Sequence, residues 1–592
     1  MEQPEAQPKL FLRIAGAAVL FMLAPAVYWP AIHSGFIWDD NALLTGNALV
    51  QVPDGLRYIW FSTLPVDYFP LTLSSFWAEW RVWGSNPTGY HLVNVLLHAG
   101  SAVLLWRVLA NLRIPGGYFA ALLFLVHPVN VESVAWIAER KNTLALMFCL
   151  LSLLLYLRFD SLANQPTTPR STLHAPRFCY FLSLLAFLLS LLSKTAGVML
   201  PFVLLSIAWW QRHREPGVTA QQSGHALRST LYALRSPFPF FALSLVFGLV
   251  TVWFQYHRAI GAEVIHHRDG LERLAGAGSA VWFYLGKALW PVRLMFVYPE
   301  WRINPGDWLA WVPDVALAGV FLVLWFCRKA WGRAGLLVLG TYVAMLFPVL
   351  GFFRIYFQKY TFVADHWQYF ALPALLAGLA ALLDRPPWQS GRRALLVALI
   401  GACVLLTWRQ QRLYKDEETL WVETLKQNPA CWMALNNLGG LLVARGQPGE
   451  AADLYRRSIE AHPSQVEAYN NLGLLFFGLG RNDEAMAQFR RALAVNPDLA
   501  MTRLNIGNVL VRRGQAQEAF VEFQTAARLQ PDLAEAHNNL GCLLSGAGRQ
   551  AEAADQFREA LKWKPEYADA RNNLGQVLAQ LQSAVTNRGR RE

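Results

Sequence analysis

A 34-residue repeat in the last third of this 592-residue chain constrains its fold more than any other feature. The tetrapeptide NNLG, or a close variant of it, places an asparagine at Asn437, Asn471, Asn505, Asn539 and Asn573. Prolines from Pro429 to Pro565, glycines from Gly446 to Gly548 and alanines from Ala451 to Ala553 recur at the same step. Because proline cannot continue a helix, each unit is expected to end there. The segment is therefore predicted to be an α-solenoid of helix pairs, with the small residues at the close helix crossings.

The pattern within each unit is typical of tetratricopeptide repeats. Leu-Gly comes early, Ala and then an aromatic residue lie in the middle, and Pro comes at the end. Four full repeats run from about 432 to 567 and a final helix follows at 568–580, so the predicted solenoid covers 432–580. Residues 412–431 are expected to form a connector with a leading half-repeat, and residues 581–592 a disordered basic tail.

The repeated asparagines suggest a ligand for the solenoid. An asparagine at the sixth position of each repeat is expected to face the inner groove, where its amide can both donate and accept hydrogen bonds. Such a row can pair with the backbone of a polypeptide without reading its sequence. We therefore expect a polypeptide or protein partner bound by Asn437, Asn471, Asn505, Asn539 and Asn573. A stacking surface without a specific ligand is the alternative.

Long apolar runs in residues 1–411 predict an all-α membrane domain. A helix needs about 20 mostly apolar residues to cross a bilayer. Suitable runs begin near residues 11, 91, 115, 142, 178, 195, 237, 308, 335, 367 and 394, which gives about eleven spans. Residues 281–296 contain Lys287, Pro291 and Arg293. We interpret this segment as re-entrant or interfacial, because charged and non-helical backbone at membrane depth must be shielded by protein.

The positions of the basic residues predict the orientation of the spans. The net charge is +12, and many Lys and Arg residues lie in short connectors at 158–177, 212–235, 328–333 and 385–393. Short basic loops stay in the cytoplasm. Eleven spans with a cytoplasmic N-terminus place all four connectors there, and place the first loop and the repeats on the outer face, periplasmic or lumenal. The same distribution argues against a nucleic-acid partner.

Ionisable residues gather on the loops predicted for the outer face. Asp39 and Asp40 follow the first span, and the other candidates are His127, Glu132, Arg140, Lys141, Lys194, Arg354, Lys359, Asp365 and His366. Such groups are costly near a bilayer and usually face a polar cavity. Taken singly, an aspartate fits a helix cap and a lysine fits a side chain that reaches toward water. Together they favour a cavity with acidic and basic walls.

This kind of cavity suits the transfer of a sugar from a lipid-linked phosphate. An apolar groove between helices can hold a polyprenyl tail, and cations stabilise the charge on the leaving phosphate. A carboxylate can take the proton of the acceptor hydroxyl. Phosphate leaves readily, so a strong general acid is not needed.

Six segments in a fixed order carry a family resemblance. They are WDDNALLTGN (38–47), YHLVNVLLHAGSAVLLW (90–106), HPVNVESVAWIAERKNTLA (127–145), LLSK (191–194), YLGKALWPVRL (284–294) and ADHWQYFALP (364–373). Followed by tetratricopeptide repeats, they resemble the transmembrane and tetratricopeptide-repeat-containing O-mannosyltransferases and their bacterial relatives. The resemblance implies a GT-C glycosyltransferase fold, a polyprenyl-phosphate sugar as donor and a place in the bacterial inner membrane, with the repeats in the periplasm.

The resemblance also implies roles for single residues. Asp39 or Asp40 would be the general base, and the other would orient the acceptor or hold a divalent cation such as Mg²⁺ or Mn²⁺. Glu132 and Arg140 match a second loop motif, and Lys194 matches a lysine for the lipid phosphate.

The last of the six segments departs from the family pattern. Relatives often have ADR or AER where this chain has Asp365 and His366. A histidine can bind phosphate, but with a charge that depends on pH. We expect His366 to bind the donor, with Arg354 or Lys359 adding positive charge.

The first hypothesis is an inverting glycosyltransferase that acts on Ser or Thr hydroxyls of a polypeptide held by the repeats. The sugar is left open, since mannose follows from the resemblance alone. A non-catalytic membrane scaffold for envelope assembly or secretion is the alternative. A transporter ranks last, because the sequence has no evident inverted internal repeat.

Overall fold

The computed structural model describes residues 6–163, 174–212, 236–260, 268–384 and 391–588. Within these ranges all regular elements are helical, which confirms the prediction of an all-α chain. The chain divides into two compact units, Met1–Gln427 and Asn428–Glu592. Most of the predicted basic connectors at 158–177, 212–235 and 385–393 lie outside the described residues.

The first unit is built from α-helices joined by short 3-10 and π turns. The α-helices are Ala6–Val27, Trp29–Ile32, Ala48–Gln51, Gly55–Phe61, Pro70–Trp83, Pro87–Asn111, Gly117–Val126, Val131–Ala135, Arg140–Ala163, His174–Ser193, Leu200–Arg212, Phe238–Phe254, Gly270–Leu289, Val312–Phe326, Gly332–Leu346, Leu372–Leu383, Arg392–Gln411 and Glu417–Gln427. The 3-10 helices are Pro128–Asn130, Ile137–Glu139, Thr195–Met199, Trp308–Trp311, Cys327–Lys329, Phe347–Val349, Tyr356–Lys359, Asp365–Gln368 and Arg412–Tyr414, and the π-helices are Asn41–Thr45 and Gln255–Ile260.

Seven helices in the described residues are long and apolar enough to cross a membrane, or eight if one bent pair counts as a span. They are Pro87–Asn111, Ile137–Ala163, Ala175–Ser193, Phe238–Ile260, Trp308–Lys329, Gly332–Val349 and Ala394–Tyr414. The bent pair, Gly117–Val126 and Pro128–Ala135, turns by 52°. These helices are those of a multi-pass membrane protein.

The other three predicted spans correspond to shorter apolar helices, Phe11–Val27, Thr195–Gln211 and Leu372–Leu383. The second of these follows Lys194, and the third follows the 3-10 helix Asp365–Gln368. Polar and charged residues therefore precede both helices where a longer span would continue. The total of eleven spans stays a prediction.

The segment predicted to be re-entrant or interfacial, 281–296, is half helical. Helix Gly270–Leu289 contains its first part, and the chain from Trp290 to Glu300 has no regular structure. Trp290 is 75% exposed, whereas Leu294 and Phe296 are buried. The helix carries Glu272, Arg273 and Lys287 and is not among the described helices that are apolar enough to cross a membrane.

The first loop folds into a small unit of its own. Residues 41–83 form one π-helix and three α-helices, of which Pro70–Trp83 is the longest. Their buried core contains Leu44, Val50, Ile59, Leu73, Phe76, Tyr90 and Ile137. Tyr90 belongs to helix Pro87–Asn111 and Ile137 to the 3-10 helix Ile137–Glu139. The loop is therefore packed against the bundle, and the residues that precede it are fixed in place.

The second unit has the predicted repeat. Its helices are Trp432–Ala444, Pro448–Ala461, Val466–Gly478, Asn482–Val495, Ala500–Arg512, Ala516–Leu529, Ala534–Gly546, Gln550–Trp563 and Ala568–Arg588. The first helix of each pair begins 34 residues after the last, and each second helix ends two residues before a proline. The final helix continues beyond the predicted boundary at 580 as far as Arg588.

The close crossings within each pair involve a different glycine from the one expected. A Cβ at Gly439 would lie 2.7 Å from the ring of Tyr455, and Gly473, Gly507 and Gly541 face Phe489, Phe523 and Phe557 in the same way. The glycines at 446, 480, 514 and 548 have open space around them and a φ between +74° and +77°. The expectation that these four lie at crossings was wrong, because they end the first helix in left-handed backbone.

Candidate functional site

A cavity of about 440 Å³ lies in the first unit and brings together several of the predicted residues. We call it the first cavity. Its ionisable lining consists of Asp39, Asp67, Glu139, Lys141, Lys194, Arg354 and His366. Four of the predicted site residues are among them, namely Asp39, Lys194, Arg354 and His366. Asp67 and Glu139 were not recognised from the sequence, and Lys141 was noted without a role.

Asp39 is presented to the cavity by a strained tryptophan. Trp38 has a φ of +38°, which is rare for a residue with a bulky side chain. Its ring stacks on Trp136 with centroids 5.5 Å apart and meets Phe296 and Trp421 edge-on. This aromatic packing holds the unfavourable backbone, which turns the next residue toward the cavity. No described residue donates a hydrogen bond to the Asp39 carboxylate, so its oxygens are available to a substrate.

Asp40 is placed differently, although it is the next residue. It is fully buried and does not line the cavity. One carboxylate oxygen accepts a hydrogen bond from the Ile37 amide (3.0 Å), and the other accepts one from the Ala138 amide (2.7 Å). Its carboxylate therefore ties the first loop to the segment between the bent helix pair and helix Arg140–Ala163. It does not cap the π-helix Asn41–Thr45 that begins after it.

The surroundings of the two aspartates also give their carboxyl groups different pKa values. Burial raises the pKa of Asp39 to about 6, although the nearby Lys141 ammonium acts in the opposite direction. Burial raises the pKa of Asp40 to about 8, against the two backbone hydrogen bonds that favour its charged form. Near neutral pH, Asp39 is the ionised member of the pair and the one that can accept a proton.

Glu139 holds two lysines at the cavity wall. Its Oε1 lies 3.0 Å from Lys141 Nζ, and its Oε2 lies 3.3 Å from Lys194 Nζ. The Glu139 side chain is 1% exposed, whereas those of the lysines are 15% and 18% exposed. One buried carboxylate therefore fixes two ammonium groups that reach the cavity, and leaves one positive charge in excess.

Asp67 adds a second carboxylate to the cavity. The Gln255 amide donates a hydrogen bond to Asp67 Oδ1, and its own oxygen accepts one from the Tyr356 amide at 3.0 Å. Burial raises the pKa of Asp67 above its usual value. The sequence marks it only as a single acidic residue in LPVDYFP, between two prolines, so no pattern singles it out.

The Glu132 and His366 side chains form a buried pair at the back of the cavity. Glu132 Oε2 accepts a hydrogen bond from the His366 amide at 2.9 Å. Its Oε1 lies 3.0 Å from His366 Nδ1, although the angle there is not that of a hydrogen bond. Only His366 lines the cavity, so Glu132 acts through it.

Two predicted donor-binding residues lie away from the cavity. Arg140 is fully buried, and its guanidinium contacts both carboxylate oxygens of Glu79, the side chain of Asn94 and the Tyr90 carbonyl (2.8 Å). It fastens helix Pro70–Trp83 to the bundle. The Lys359 ammonium lies 5.7 Å and 5.9 Å from the rings of Tyr356 and Tyr360.

One side of the cavity is mostly apolar. Leu245, Gly248, Leu249 and Val252 of helix Phe238–Phe254 face residues 347–349 and Phe353 across it. Leu245 is 64% exposed and Leu249 is 62% exposed. Because exposed leucines on a membrane-spanning helix contact lipid, this side of the cavity adjoins the hydrocarbon of the bilayer.

Asp39 and Asp40 offer a divalent cation different numbers of free oxygens, and the expected Mg²⁺ or Mn²⁺ there stays a prediction. Both oxygens of Asp40 are occupied by backbone amides, and the Lys141 charge lies close to Asp39. Among the described parts of the chain, no three His, Cys, Asp or Glu side chains come together as metal ligands.

In the second unit, most of the repeated asparagines bind a different asparagine of the preceding repeat. Four of them donate a hydrogen bond to an asparagine of the preceding repeat, over 2.9 to 3.1 Å: Asn471 to Asn436, Asn505 to Asn470, Asn539 to Asn508 and Asn573 to Asn538. Asn437 donates to the Met433 carbonyl instead. These amides brace the stacking of the repeats. Their binding of a polypeptide stays a prediction.

Comparison with known families identifies the repeats. A model described as "Tetratricopeptide repeat" matches residues 410–466, 437–503 and 538–587, and a second model with the same description matches 498–562. A crystal structure of MamA is 24% identical, with a TM-score of 0.23, and the match covers 26% of this chain and 88% of MamA.

Curated relatives extend the comparison. Protein O-mannosyl-transferase TMTC4 of Homo sapiens is 29% identical over 189 residues, which is 28% of this chain and 25% of that protein. Protein O-mannosyl-transferase TMTC1 of Mus musculus is 32% identical over 219 residues, 33% of this chain and 22% of that protein. The chain thus spans about a quarter of the length of the curated relatives it matches. The chain therefore contains tetratricopeptide repeats within residues 410–587 and is similar, over part of its length, to proteins named as protein O-mannosyl-transferases.

Proposed function

We propose that the protein is a glycosyltransferase that moves a sugar from a polyprenyl phosphate to a Ser or Thr hydroxyl of a polypeptide. The observation that carries this proposal is the first cavity, where an available carboxylate faces two fixed lysines beside an apolar wall. The relatives named as protein O-mannosyl-transferases agree with it. Burying charged groups near a bilayer costs free energy, and a scaffold without catalytic activity has no need for them.

The donor binds with its phosphate near Lys141, Lys194 and Arg354, and its tail along helix Phe238–Phe254. The excess positive charge of the Lys141–Glu139–Lys194 cluster compensates the negative charge that develops on the leaving phosphate. Glu139 keeps both ammonium groups in place before the donor arrives, so little reorganisation is needed during the reaction. His366, backed by Glu132, lines the same cavity.

Asp39 acts as the general base. It takes the proton of the acceptor hydroxyl while that oxygen bonds to C1 of the sugar. The bond between C1 and the phosphate oxygen breaks, and the phosphate keeps the electron pair. Attack from the face opposite the phosphate inverts the configuration at C1 in one step. Asp67, held by Gln255, orients the acceptor hydroxyl, and Asp40 positions Asp39 through the backbone.

The solenoid supplies the acceptor. Each bracing asparagine amide uses one N–H toward the preceding repeat, and its carbonyl oxygen can accept a hydrogen bond from a polypeptide backbone. We place the cavity and the repeats on the periplasmic side of a bacterial inner membrane, as the basic connectors indicate.

Mass spectrometry of the envelope proteins tests the proposal. Deleting the gene is expected to remove a hexose or pentose from Ser or Thr residues of specific proteins, and complementation is expected to restore it. Complementation with Asp39→Asn is expected to leave the proteins unmodified, whereas Asp54→Asn, an exposed aspartate of the same loop, restores modification. An unchanged glycan profile after deletion, with a phenotype that Asp39→Asn rescues, would favour the scaffold.

A further inference from the structure

A second and larger cavity, of about 910 Å³, lies in the first unit. We call it the second cavity. It is formed by the end of helix Gly270–Leu289, the irregular segment 290–294 and the last turns of helix Arg392–Gln411. None of the residues that line it lines the first cavity.

The polar lining of the second cavity is cationic. It contains Lys287, Arg293 and Arg409, and among its described lining residues there is no Asp or Glu. Arg293 and Arg409 are both exposed, and neither forms an ion pair with a described carboxylate. The buried Asp365 carboxylate acts on Lys287, whereas Arg293 and Arg409 have no ion pair with a described carboxylate, so an anion between the three cations would stabilise the arrangement.

The backbone of segment 290–294 keeps these charges in place. Arg293 has a φ of +53°, a left-handed conformation that costs a non-glycine residue energy. The Lys287 ammonium donates hydrogen bonds to the carbonyls of Val292 (3.1 Å) and Arg293 (3.0 Å), which holds this turn closed. A strained turn at a ligand-sized cavity is typical of a binding site.

The rim of the second cavity is aromatic and apolar. Trp282 is 39% exposed and Trp290 is 75% exposed, and Leu289 beside them is 68% exposed. Trp282 Nε1 donates to the Pro313 carbonyl at 2.9 Å. Exposed tryptophans beside cations at the end of a span, here Ala394–Tyr414, are typical of the headgroup level of a bilayer. A ligand here therefore meets positive charge and hydrocarbon at the same time.

We propose that the second cavity binds the phosphate group of an anionic phospholipid. The phosphate lies among Lys287, Arg293 and Arg409, and the acyl chains run along Leu289, Trp290 and Leu406. The sugar donor belongs in the first cavity, because the second has no carboxylate that could serve as a base. The bound lipid stabilises the strained turn and the end of the last span.

Lipid-dependent stability of the purified full-length protein tests this assignment. Delipidated protein in detergent is titrated with phosphatidylglycerol or with phosphatidylcholine of the same acyl chains, and unfolding is followed by tryptophan fluorescence. Native mass spectrometry counts the lipids that remain bound. Phosphatidylglycerol is expected to raise the Tm by about 2–4 °C at saturation, whereas phosphatidylcholine is not.

The double variant Arg293→Gln/Arg409→Gln is expected to bind phosphatidylglycerol about 20-fold more weakly. Lys287 is left unchanged because it holds the turn. The matched control is Arg328→Gln, whose guanidinium also lies at a helix end, 4.4 Å from the ring of Trp325, but outside the cavity. It is expected to keep the full response to phosphatidylglycerol.

Three results would overturn the proposal. Equal stabilisation by both lipids would show that the negative charge of the headgroup is not recognised. Unchanged binding by the double variant would show that Arg293 and Arg409 do not hold the lipid. Equal stabilisation by inorganic phosphate or glycerol phosphate alone would show that the cavity takes a soluble anion. None of these readouts depends on glycosyl transfer, so the proposed activity can fail without changing them.

Discussion

The two cavities of the first unit use positive charge in different ways. In the first cavity, two lysines share the buried Glu139, and Asp39 and Asp67 line the same cavity. In the second, three cations have no carboxylate in the described lining. A site that carries out a transfer needs a base and must release its product, whereas a site that only holds an anion needs attraction alone. The balance of charge therefore assigns chemistry to the first cavity and retention to the second.

The contrast between the two cavities predicts that Asp39→Asn has the largest effect on glycosyl transfer. Removing the base should lower kcat for glycosyl transfer by about 10²- to 10⁴-fold. The measurement is transfer of a labelled sugar from a polyprenyl-phosphate donor to an acceptor protein in purified membranes. Asp54→Asn serves as the control for loss of charge from the same loop. If Asp39→Asn keeps an activity near that of the control, Asp39 is not the general base.

Lys194→Gln should have the next largest effect. One cation that stabilises the leaving phosphate would be lost, and we expect kcat to fall by about 10²-fold. Arg328→Gln, which removes a partly exposed cation that lines neither cavity, is expected to change kcat less than about twofold. A rise in KM with kcat unchanged would mean that Lys194 binds the donor without favouring the transition state.

The smallest of the three effects is the change of the transfer rate with pH, which shows whether Asp39 or Asp40 is the base. Burial raises the pKa of Asp39 to about 6, so its basic form is lost as the pH falls through that value. At pH 5 about one tenth of the carboxyl is ionised, and transfer should be about 10-fold slower than on the plateau above pH 7. If Asp40 were the base, the rate would instead rise through about 8, where burial places its pKa. The pH profile of kcat distinguishes these outcomes.

The helices could be predicted from the sequence because the residues that produce them recur at regular intervals or form long apolar runs. The 34-residue step predicted the start of every repeat, and all eleven apolar runs correspond to helices, although three are short and a fourth is part of a bent pair. The glycine opposite each aromatic ring was misassigned because two glycines recur with the same period. A repeat period shows which positions are equivalent, but it does not show which side chain of the neighbouring helix each of them contacts.

The composition of the first cavity could be predicted only in part. Asp39 and Asp40 are equivalent as sequence, and the backbone at Trp38 decides which of them faces the cavity. Arg140 has the residue type of a phosphate ligand, but Glu79 occupies it. Asp67 and Glu139 reach the cavity through tertiary packing of the first loop and the bent helix pair, which leaves no local pattern.

The backbone at Trp38 also makes the proposed activity sensitive to small losses of order. The left-handed conformation costs about 1–2 kcal/mol, and the contacts of its ring with Trp136, Phe296 and Trp421 offset this cost. Loosening of that aromatic cluster lets Trp38 relax and swings Asp39 away, while the helices stay folded. Heating or mild detergent should therefore inactivate the protein before circular dichroism reports any melting.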